Sequence, residues 1–203
     1  MIAIIDYGVG NIFSLKSSFG CIGYDAMLTN DKKTIEKADK IILPGVGAFA
    51  DAARKLKESG MFTLVQESCA KGKPLMGICL GMQLLFEKSY EYGETEGLGL
   101  IHGSIKHIGN YIEKGTKIPH IGWNSLSFGD EKHKIFKYIK EGDFVYFVHS
   151  YHGVDCDKST IATTDYNGRL TAAVADKNIY GMQFHPEKSG DVGMNILKAF
   201  CEL

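Results

Sequence analysis

The sequence predicts an α/β protein with a mostly parallel sheet, flanking helices and an added antiparallel portion in its second half. Three features lead to this prediction: strand-like runs recur along the chain, helical patterns separate the early runs, and the second half holds more strand than helix. Strands that alternate with helices favour a parallel sheet covered on both faces. The length of 203 residues fits one domain, 1–203.

Runs rich in β-branched residues predict the strands, and the periodic stretches between them predict the helices. In open α/β sheets, functional sites lie beyond the carboxyl ends of the strands. The predicted strands cover 2–6, 40–45, 73–78, 143–150, 160–166, 171–176 and 179–184. The predicted helices cover 12–19 with Asn11 as the N-cap, 48–60, 61–72 closed by Gly72, 80–89 and about 191–200.

Composition excludes several classes of partner. Hydrophobic residues make up 44% and charged residues 23% of the chain, and the net charge of -1 indicates neither nucleic acid nor an anionic membrane as a partner. No stretch approaches the roughly 18 to 20 apolar residues of a membrane span. The five cysteines are scattered without a C-x-x-C pair, so we expect free thiols in the cytoplasm rather than a disulfide framework or a zinc knuckle.

The glycine pair in "DYGVGN", residues 6–11, follows the first predicted strand and suggests a dinucleotide-binding turn. The G-x-G-x-x-G pattern requires a third glycine at position 13, where this chain has Phe13. The chain also lacks a G-x-x-x-x-G-K-[ST] phosphate loop. We therefore expect no nucleotide site and interpret this segment as a turn before a helix cap.

The stretch "GICLG", Gly77 to Gly81, has the G-x-nucleophile-x-G form of a nucleophile elbow, with Cys79 as the nucleophile. In such an elbow a sharp strand-to-helix turn lifts the side chain above the sheet, and the glycines relieve steric clashes. The positive end of a helix dipole favours the thiolate form of a cysteine placed there. An isolated cysteine is more often a buried structural residue, and the other four cysteines keep that interpretation.

A cysteine nucleophile needs a base, and "QFHPEKS" at 183–189 supplies one at the exit of the last predicted strand. In an extended chain residues i and i+2 face the same side, and Pro186 biases His185 toward an extended conformation. His185 and Glu187 can therefore point to one place, with the carboxylate orienting the imidazole. The glycine-rich turn "LPGVGAF" at 43–49 offers an amide near Gly47 that, with the amide of Leu80, can form an oxyanion hole.

Gly-x-Cys-x-Gly-x-Gln at 77–83 and His-Pro-Glu at 185–187 together resemble the triad, or class I, glutamine amidotransferases. The resemblance implies their flavodoxin-like fold and hydrolysis of the side-chain amide of L-glutamine, with Cys79, His185 and Glu187 as catalytic triad and without a cofactor or metal. Four further stretches narrow the resemblance to the glutaminase subunits of imidazole glycerol phosphate synthase: "DYGVGNI" at 6–12, "LPGVGAF" at 43–49, "KIPHIGWN" at 117–124 and "FVHSYH" at 147–152.

The narrower resemblance also assigns binding residues and a partner. In that family the partner is a synthase subunit, a (β/α)₈ barrel that receives ammonia and forms a heterodimer with the glutaminase. The residues implied for glutamine are Gly47, Gln83, Glu91, Ser150 and Tyr151. The residues implied for the partner surface are Asn11, Pro119, Trp123, Tyr146 and Lys188.

Other interpretations stay open at the level of sequence. His152 and Phe13 depart from the usual pattern of this branch, and related subunits serve amidotransferases that build bacterial surface sugars. A metal-dependent amidohydrolase could use His149, His152 and His185, although these residues lack the helical i, i+4 spacing that sets two ligands on one face. A flavodoxin-like redox sensor could use Cys79 as an oxidisable thiol.

Overall fold

The central feature of the computed structural model, which describes residues 1–9, 12–129 and 131–203, is a mixed β-sheet. Two smaller sheets accompany it. The described strands are, in chain order, β1 (Ile2–Ile5), β2 (Ala26–Thr29), β3 (Lys40–Leu43), β4 (Leu75–Ile78), β5 (Phe86–Ser89), β6 (Thr95–Glu96), β7 (Ile101–His107), β8 (His120–Ser125), β9 (Ser127–Phe128), β10 (Phe144–His149), β11 (Tyr151–Val154), β12 (Thr160–Asp165), β13 (Arg169–Asp176) and β14 (Ile179–Met182).

The described helices separate the early strands. They are α1 (Ile12–Cys21), α2 (Lys32–Lys37), α3 (Phe49–Glu58), α4 (Met61–Ala70), α5 (Leu80–Gln83) and α6 (Gly190–Cys201). The longest of them has 12 residues, and within the described chain no helix combines the length and apolarity that a bilayer crossing requires.

The main sheet has the order β2-β1-β3-β4-β14-β13-β12-β9. Its first five strands pair in parallel, and the pairs from β14 to β9 are antiparallel. The other two sheets have the orders β11-β7-β5-β6 and β10-β8. The predicted fold class is confirmed. β14, the last strand along the described chain, pairs with β4 in the middle of the main sheet.

Helices cover both faces of the parallel strands. Alternate residues of a strand face opposite sides, and Ala3 and Ile5 belong to a core with α3 and α4, whereas Ile2 and Ile4 belong to a second core with α1 and α6. All seven predicted strands and the helices at 48–60, 61–72 and 191–200 occur with small shifts at their ends. The predicted cap Asn11 lies outside the described residues.

The predicted helix over 80–89 is wrong. α5 ends at Gln83, and β5 begins at Phe86. The carbonyls of Leu84 and Leu85 accept hydrogen bonds from Leu98 and Leu100, both at 2.8 Å, so the chain pairs with a distant segment instead of continuing the helix. Residues 80–86 are all buried, which a helix with one apolar stripe does not produce.

Candidate active site

Cys79 lies on a sharp turn between β4 and α5. Its backbone has φ 56° and ψ −115°, a conformation that an L-residue adopts only under strain. The Cys79 N–H donates to the carbonyl of Met182 at 2.7 Å, which ties the turn to the end of the neighbouring strand β14. The predicted strand-to-helix elbow is thus formed, and Cys79 is only 7% exposed.

Two glycines make this turn possible because other parts of the backbone approach them closely. A Cβ on Gly77 would lie 2.5 Å from the carbonyl oxygen of Gly81. A Cβ on Gly81 would overlap the carbonyl of Leu43 on β3. The Gly-x-Cys-x-Gly pattern is therefore required by the packing of α5 against β3 and β4.

His185 follows β14, the strand that pairs in parallel with β4. Since Ile78 is in register with Met182, Cys79 and His185 leave the sheet at the same edge. Nδ1 of His185 donates to Oε1 of Glu187 at 2.8 Å, and these side chains are 4% and 3% exposed. Cys79, His185 and Glu187 are the residues predicted to be catalytic, and we call this group the catalytic corner.

The electrostatics of His185 depend on its two neighbours. Burial lowers the pKa of the imidazole, but its interactions with Cys79 and Glu187 outweigh burial and raise it to about 9. Oε2 of Glu187 is buried and has no hydrogen-bond partner among the described residues. An imidazole with so high a pKa accepts the proton of a neighbouring thiol readily.

The loop at 43–49 is held from two sides beside the elbow. The hydroxyl of Tyr7 donates to the carbonyl of Pro44 at 2.8 Å, and Oε2 of Glu91 accepts from the N–H of Phe49 at 2.5 Å. Gly47 has a φ of +94°, which glycine adopts at low cost. Leu80 is the first residue of α5, so its N–H has no partner within that helix.

A pocket of about 410 Å³ opens above Cys79 and His185. Glu187 is not part of its wall, which agrees with a place behind the imidazole. The predicted residues that line the pocket are Gly47, Cys79, Leu80, Gln83, Glu91, Ser150, Tyr151, His185 and Lys188.

The predicted glutaminase site did not include five further residues of the wall: Val46, Tyr92, His107, Val148 and His149, the last of which was named only for the alternative metal site. Val46 and Val148 adjoin predicted residues, and Tyr92 adjoins Glu91, so neighbours of the motifs were the available signal. His107 lies on β7, which pairs with β11 in the register His107 to Tyr151. That pairing between distant segments left no local signal in the sequence.

The residues predicted for a partner surface lie partly together. The rings of Trp123 and Tyr146 are edge to face at 6.0 Å, and Nζ of Lys188 lies 5.8 Å from the centre of the Tyr146 ring. Trp123 is 52% exposed. We call Trp123, Tyr146 and Lys188 the aromatic patch. Because Lys188 also lines the pocket, the patch and the pocket are continuous.

The other two residues of that prediction are separate cases. Pro119 is exposed and immediately precedes β8, the strand that carries Trp123. Asn11 lies outside the described residues, so the structure says nothing of its place relative to the aromatic patch.

The three histidines of the alternative metal site do not converge. His149 and His185 line the pocket above Cys79, whereas His152 lines a different pocket beside Thr171. Nδ1 of His152 accepts from the N–H of Thr171 at 3.3 Å. Within the described residues no group of three or more His, Cys, Asp or Glu side chains is arranged to hold a metal.

A second pair of imidazoles lies beside the pocket. Nδ1 of His149 donates to the carbonyl of Tyr151 at 2.8 Å, and its Nε2 lies 3.0 Å from Nδ1 of His120. Nε2 of His120 lies 2.9 Å from Oδ1 of Asn124. Burial lowers the pKa of both rings, to about 3 for His149. We call His120 and His149 the histidine pair.

Comparison with known proteins places this architecture in a family. The family model "Glutamine amidotransferase class-I" matches residues 3–202. The chain is 49% identical over 204 residues to the imidazole glycerol phosphate synthase subunit HisH of Caldanaerobacter subterraneus subsp. tengcongensis, covering 100% of this chain and 98% of that protein. It is 45% identical to the subunit of the same name from Aquifex aeolicus, covering 97% and 94%.

The fold also has a counterpart among solved structures. The structure of PurLQS from Thermotoga maritima aligns with a TM-score of 0.75 at 18% identity, covering 99% of this chain and 97% of that chain. An identity of 18% supports a shared fold only. The family model matches residues 3–202, and the two relatives are 49% and 45% identical to almost the whole chain. The chain therefore belongs to the class-I glutamine amidotransferases and, within them, to the family of the imidazole glycerol phosphate synthase subunit HisH.

Proposed function

We propose that this chain is the glutaminase subunit of an imidazole glycerol phosphate synthase. It hydrolyses L-glutamine to glutamate and ammonia and passes the ammonia to a synthase subunit, which forms imidazole glycerol phosphate and AICAR in histidine biosynthesis. The observation that carries the chemistry is the catalytic corner, where a strained cysteine and a histidine bonded to a carboxylate leave neighbouring parallel strands at one edge. Membership of the family supports the choice of substrate.

In the first half of the reaction Cys79 is the nucleophile. His185 takes the thiol proton, and the sulfur attacks the carbon of the glutamine carboxamide as the C=O electron pair moves to oxygen. His185 then delivers the proton to the amide nitrogen, and the C=O bond re-forms as the C–N bond breaks and ammonia leaves. The product is a γ-glutamyl thioester on Cys79. Glu187 holds the imidazole in the tautomer that this transfer needs.

The negative oxygen of the tetrahedral intermediate needs donors in place before the attack. We assign this role to the N–H groups of Gly47 and Leu80, which both belong to the pocket wall. The hydrogen bond that Tyr7 donates to the Pro44 carbonyl and the one that Glu91 accepts from the Phe49 N–H hold the 43–49 loop in position. Glu91 therefore has a structural function in addition to the substrate contact proposed for it.

In the second half of the reaction, water hydrolyses the thioester. His185 takes a proton from the water, the new C–O bond forms as the C–S bond breaks, and the proton returns to the sulfur. Glutamate leaves, and Cys79 is a thiol again. The same imidazole acts as base and acid in both halves, and its raised pKa supports the first proton uptake.

The substrate is held by the walls beside the catalytic corner. We propose that Gly47, Gln83, Glu91, Ser150 and Tyr151 bind glutamine, since all five line the pocket. The Glu91 carboxylate suits the α-amino group of the substrate. The amide of Gln83 is held from one side by the Tyr151 carbonyl at 3.1 Å, so it forms a fixed part of the wall.

Ammonia must leave toward a partner, and we propose that the aromatic patch and Pro119 face the (β/α)₈-barrel subunit, together with Asn11. An exposed tryptophan beside a tyrosine is typical of a protein interface. Its continuity with the pocket through Lys188 gives ammonia a short path into the partner. We also propose that the chain forms one domain, 1–203, because β14 completes the sheet that β1 begins.

We propose that the protein works in the cytoplasm. All five cysteines are free thiols, and free thiols persist in reducing compartments.

Two variants test the proposed chemistry. Cys79→Ala should abolish glutamine turnover while leaving binding of the barrel subunit intact, and Cys21→Ala, which removes an exposed cysteine, should retain both. Turnover is measured as glutamate release in the complex, with and without the phosphoribosyl acceptor. Stimulation by the acceptor supports the histidine pathway, and turnover that survives in Cys79→Ala refutes the triad.

The aromatic patch has its own test. Trp123→Ala should weaken the affinity for the barrel subunit about 30-fold, as expected for a central tryptophan of an interface. Tyr138→Ala, which removes another exposed aromatic side chain, serves as the control and should leave the affinity unchanged. Calorimetric titration measures the affinity of each variant for the barrel subunit. Equal affinities for the two variants would show that the aromatic patch is not the interface.

A further inference from the structure

Gln183 is a buried polar residue next to the catalytic corner that the mechanism above does not use. It lies in the bend that follows β14, two residues before His185. Its side chain is fully buried, at 0% exposure. A buried amide needs partners for both its oxygen and its nitrogen, so its contacts reveal how it is oriented.

The orientation of this amide follows from a backbone group. The atom of Gln83 that faces the Tyr151 carbonyl, at 3.1 Å, must be Nε2, because a carbonyl oxygen can only accept. The same Nε2 lies 3.0 Å from the Gln183 side chain, so the atom it meets there must be the acceptor Oε1. The Nε2 of Gln183 is therefore the atom that points away from Gln83.

That nitrogen faces the sulfur of Cys79 at 4.0 Å, within reach of an N–H···S hydrogen bond. Besides its interaction with His185, the sulfur meets the carbonyl oxygen of Val148 at 3.9 Å, which can accept from the thiol but repels a thiolate. A thiolate at this position thus needs donors that outweigh the carbonyl.

We propose that Gln183 is a further catalytic residue, which donates from its side-chain amide to the thiolate of Cys79 while Gln83 locks that amide in orientation. The proposal rests on the proposed glutaminase function. Hydrogen bonds to a charged acceptor are about twice as strong as neutral ones, so the donor favours the ionised nucleophile over the thiol. Through Gln83 and the carbonyl of Tyr151, the same chain of bonds joins the nucleophile to the substrate-binding segment.

The test measures the ionisation of Cys79 without any glutamine. Alkylation by iodoacetamide is followed against pH, and the tryptic peptide 72–88, in which Cys79 is the one cysteine, is quantified by mass spectrometry against the exposed Cys21. Gln183→Met keeps the volume but removes the donor. It should raise the pH midpoint of Cys79 alkylation by about one unit and slow alkylation at neutral pH about tenfold.

Two further variants sharpen the result. Gln83→Met releases the lock on the Gln183 amide and should raise the midpoint by a smaller amount. Gln66→Met is the matched control, because Gln66 also donates from Nε2 to a carbonyl, that of Leu98 at 2.8 Å, but on α4. Its midpoint should equal that of the unsubstituted protein. Circular dichroism establishes that each variant is folded, and the Gln83→Met midpoint decides the question if Gln183→Met does not fold.

The outcomes separate this proposal from the proposed function. A midpoint unchanged in both Gln183→Met and Gln83→Met overturns the role of Gln183, even when the unsubstituted chain turns over glutamine. Glutamine turnover that persists in Cys79→Ala overturns the proposed function, whatever the alkylation shows. In the complex, Gln183→Met should lower kcat about tenfold with little change in KM, whereas a change confined to KM would contradict a role in stabilising the nucleophile.

Discussion

The catalytic corner and the histidine pair place buried imidazoles around one pocket, yet the net shift of the imidazole pKa has opposite directions in the two regions. The pKa of His185 is raised to about 9, whereas that of His149 is lowered to about 3. His185 donates to a carboxylate, while His149 meets a carbonyl and another imidazole. A buried imidazole therefore keeps its proton when a negative partner compensates for lost hydration and loses it when the partners are neutral.

The comparison also separates two functions. A ring that holds a proton near neutral pH can exchange it with a thiol and with leaving ammonia, which suits the proposed role of His185. A ring that stays neutral can keep fixed hydrogen bonds, and His149 uses one of them to hold the carbonyl of Tyr151 beside the pocket. The histidine pair thus belongs to the scaffold of the site.

The largest effect is expected from removing the charge that distinguishes the catalytic corner. Glu187→Gln keeps the shape of the side chain, but the pKa of His185 should fall from about 9 and kcat by about 10³- to 10⁴-fold, because the ring loses its charge partner and its tautomer. Glutaminase assays of the complex and an NMR titration of the ring protons measure the two effects. Glu113→Gln, at an exposed position, is the control, and an unchanged titration of His185 would contradict this account.

Acid should destabilise the protein through the histidine pair. The pKa of His149 is about 3 in the folded protein and about 6.5 in the unfolded chain, so its contribution to stability is present above pH 6.5 and is lost as the pH falls toward 3. The loss amounts to about 4 to 5 kcal/mol at most. Chemical denaturation across this pH range measures it.

The control for the predicted loss of stability at low pH is His149→Asn, which retains an amide donor near the Tyr151 carbonyl but does not titrate. Its free energy of unfolding should fall less steeply with acid than that of the unsubstituted chain. Parallel curves for the two proteins would show that His149 does not stay neutral in the fold.

High pH should destabilise the protein through the catalytic corner, whereas the histidine pair lowers stability at low pH. The folded pKa of His185, about 9, exceeds its unfolded value of about 6.5, so its contribution is complete below pH 6.5 and is lost as the pH rises through 9. The loss is about 3 kcal/mol at most. Cys79→Ala removes one of the two neighbours that raise this pKa and should flatten the alkaline limb, as measured by denaturation between pH 6 and 10. An equally steep limb would assign the shift to Glu187 alone.

The smallest effect is expected from giving the histidine pair a negatively charged partner. Asn124→Asp replaces the amide oxygen that lies 2.9 Å from Nε2 of His120 by a carboxylate, which should raise the pKa of His120 by about 1 to 2 units. An NMR titration of the ring measures the change. Asn195→Asp on α6 is the control, and a His120 pKa that does not move would show that burial outweighs the charge of the partner.

Much of the parallel half could be predicted because its signals are local. β1, β3 and β4 are short apolar runs, and the Gly-x-Cys-x-Gly pattern marked the elbow before any contact was known. The strands β5 to β7 were missed because they exist through pairing with distant segments, as the hydrogen bond from the Leu98 N–H to the Leu84 carbonyl illustrates. Gln183 was missed for the same reason, since its role depends on how Gln83 and Tyr151 orient its amide.

The sequence by itself determined the alternation of strands and helices, the strained turn at Cys79 and the spacing of His185 and Glu187, because each depends on backbone preferences within a few residues. Only the tertiary structure decided which of the buried histidines keeps a proton and which polar groups surround the sulfur. Those properties arise from charge and hydrogen bonding between groups far apart in the sequence, such as Cys79 and Gln183, which are 104 positions apart. Folding alone brings such groups together in a medium of low dielectric constant, where the identity of one partner outweighs the cost of burial.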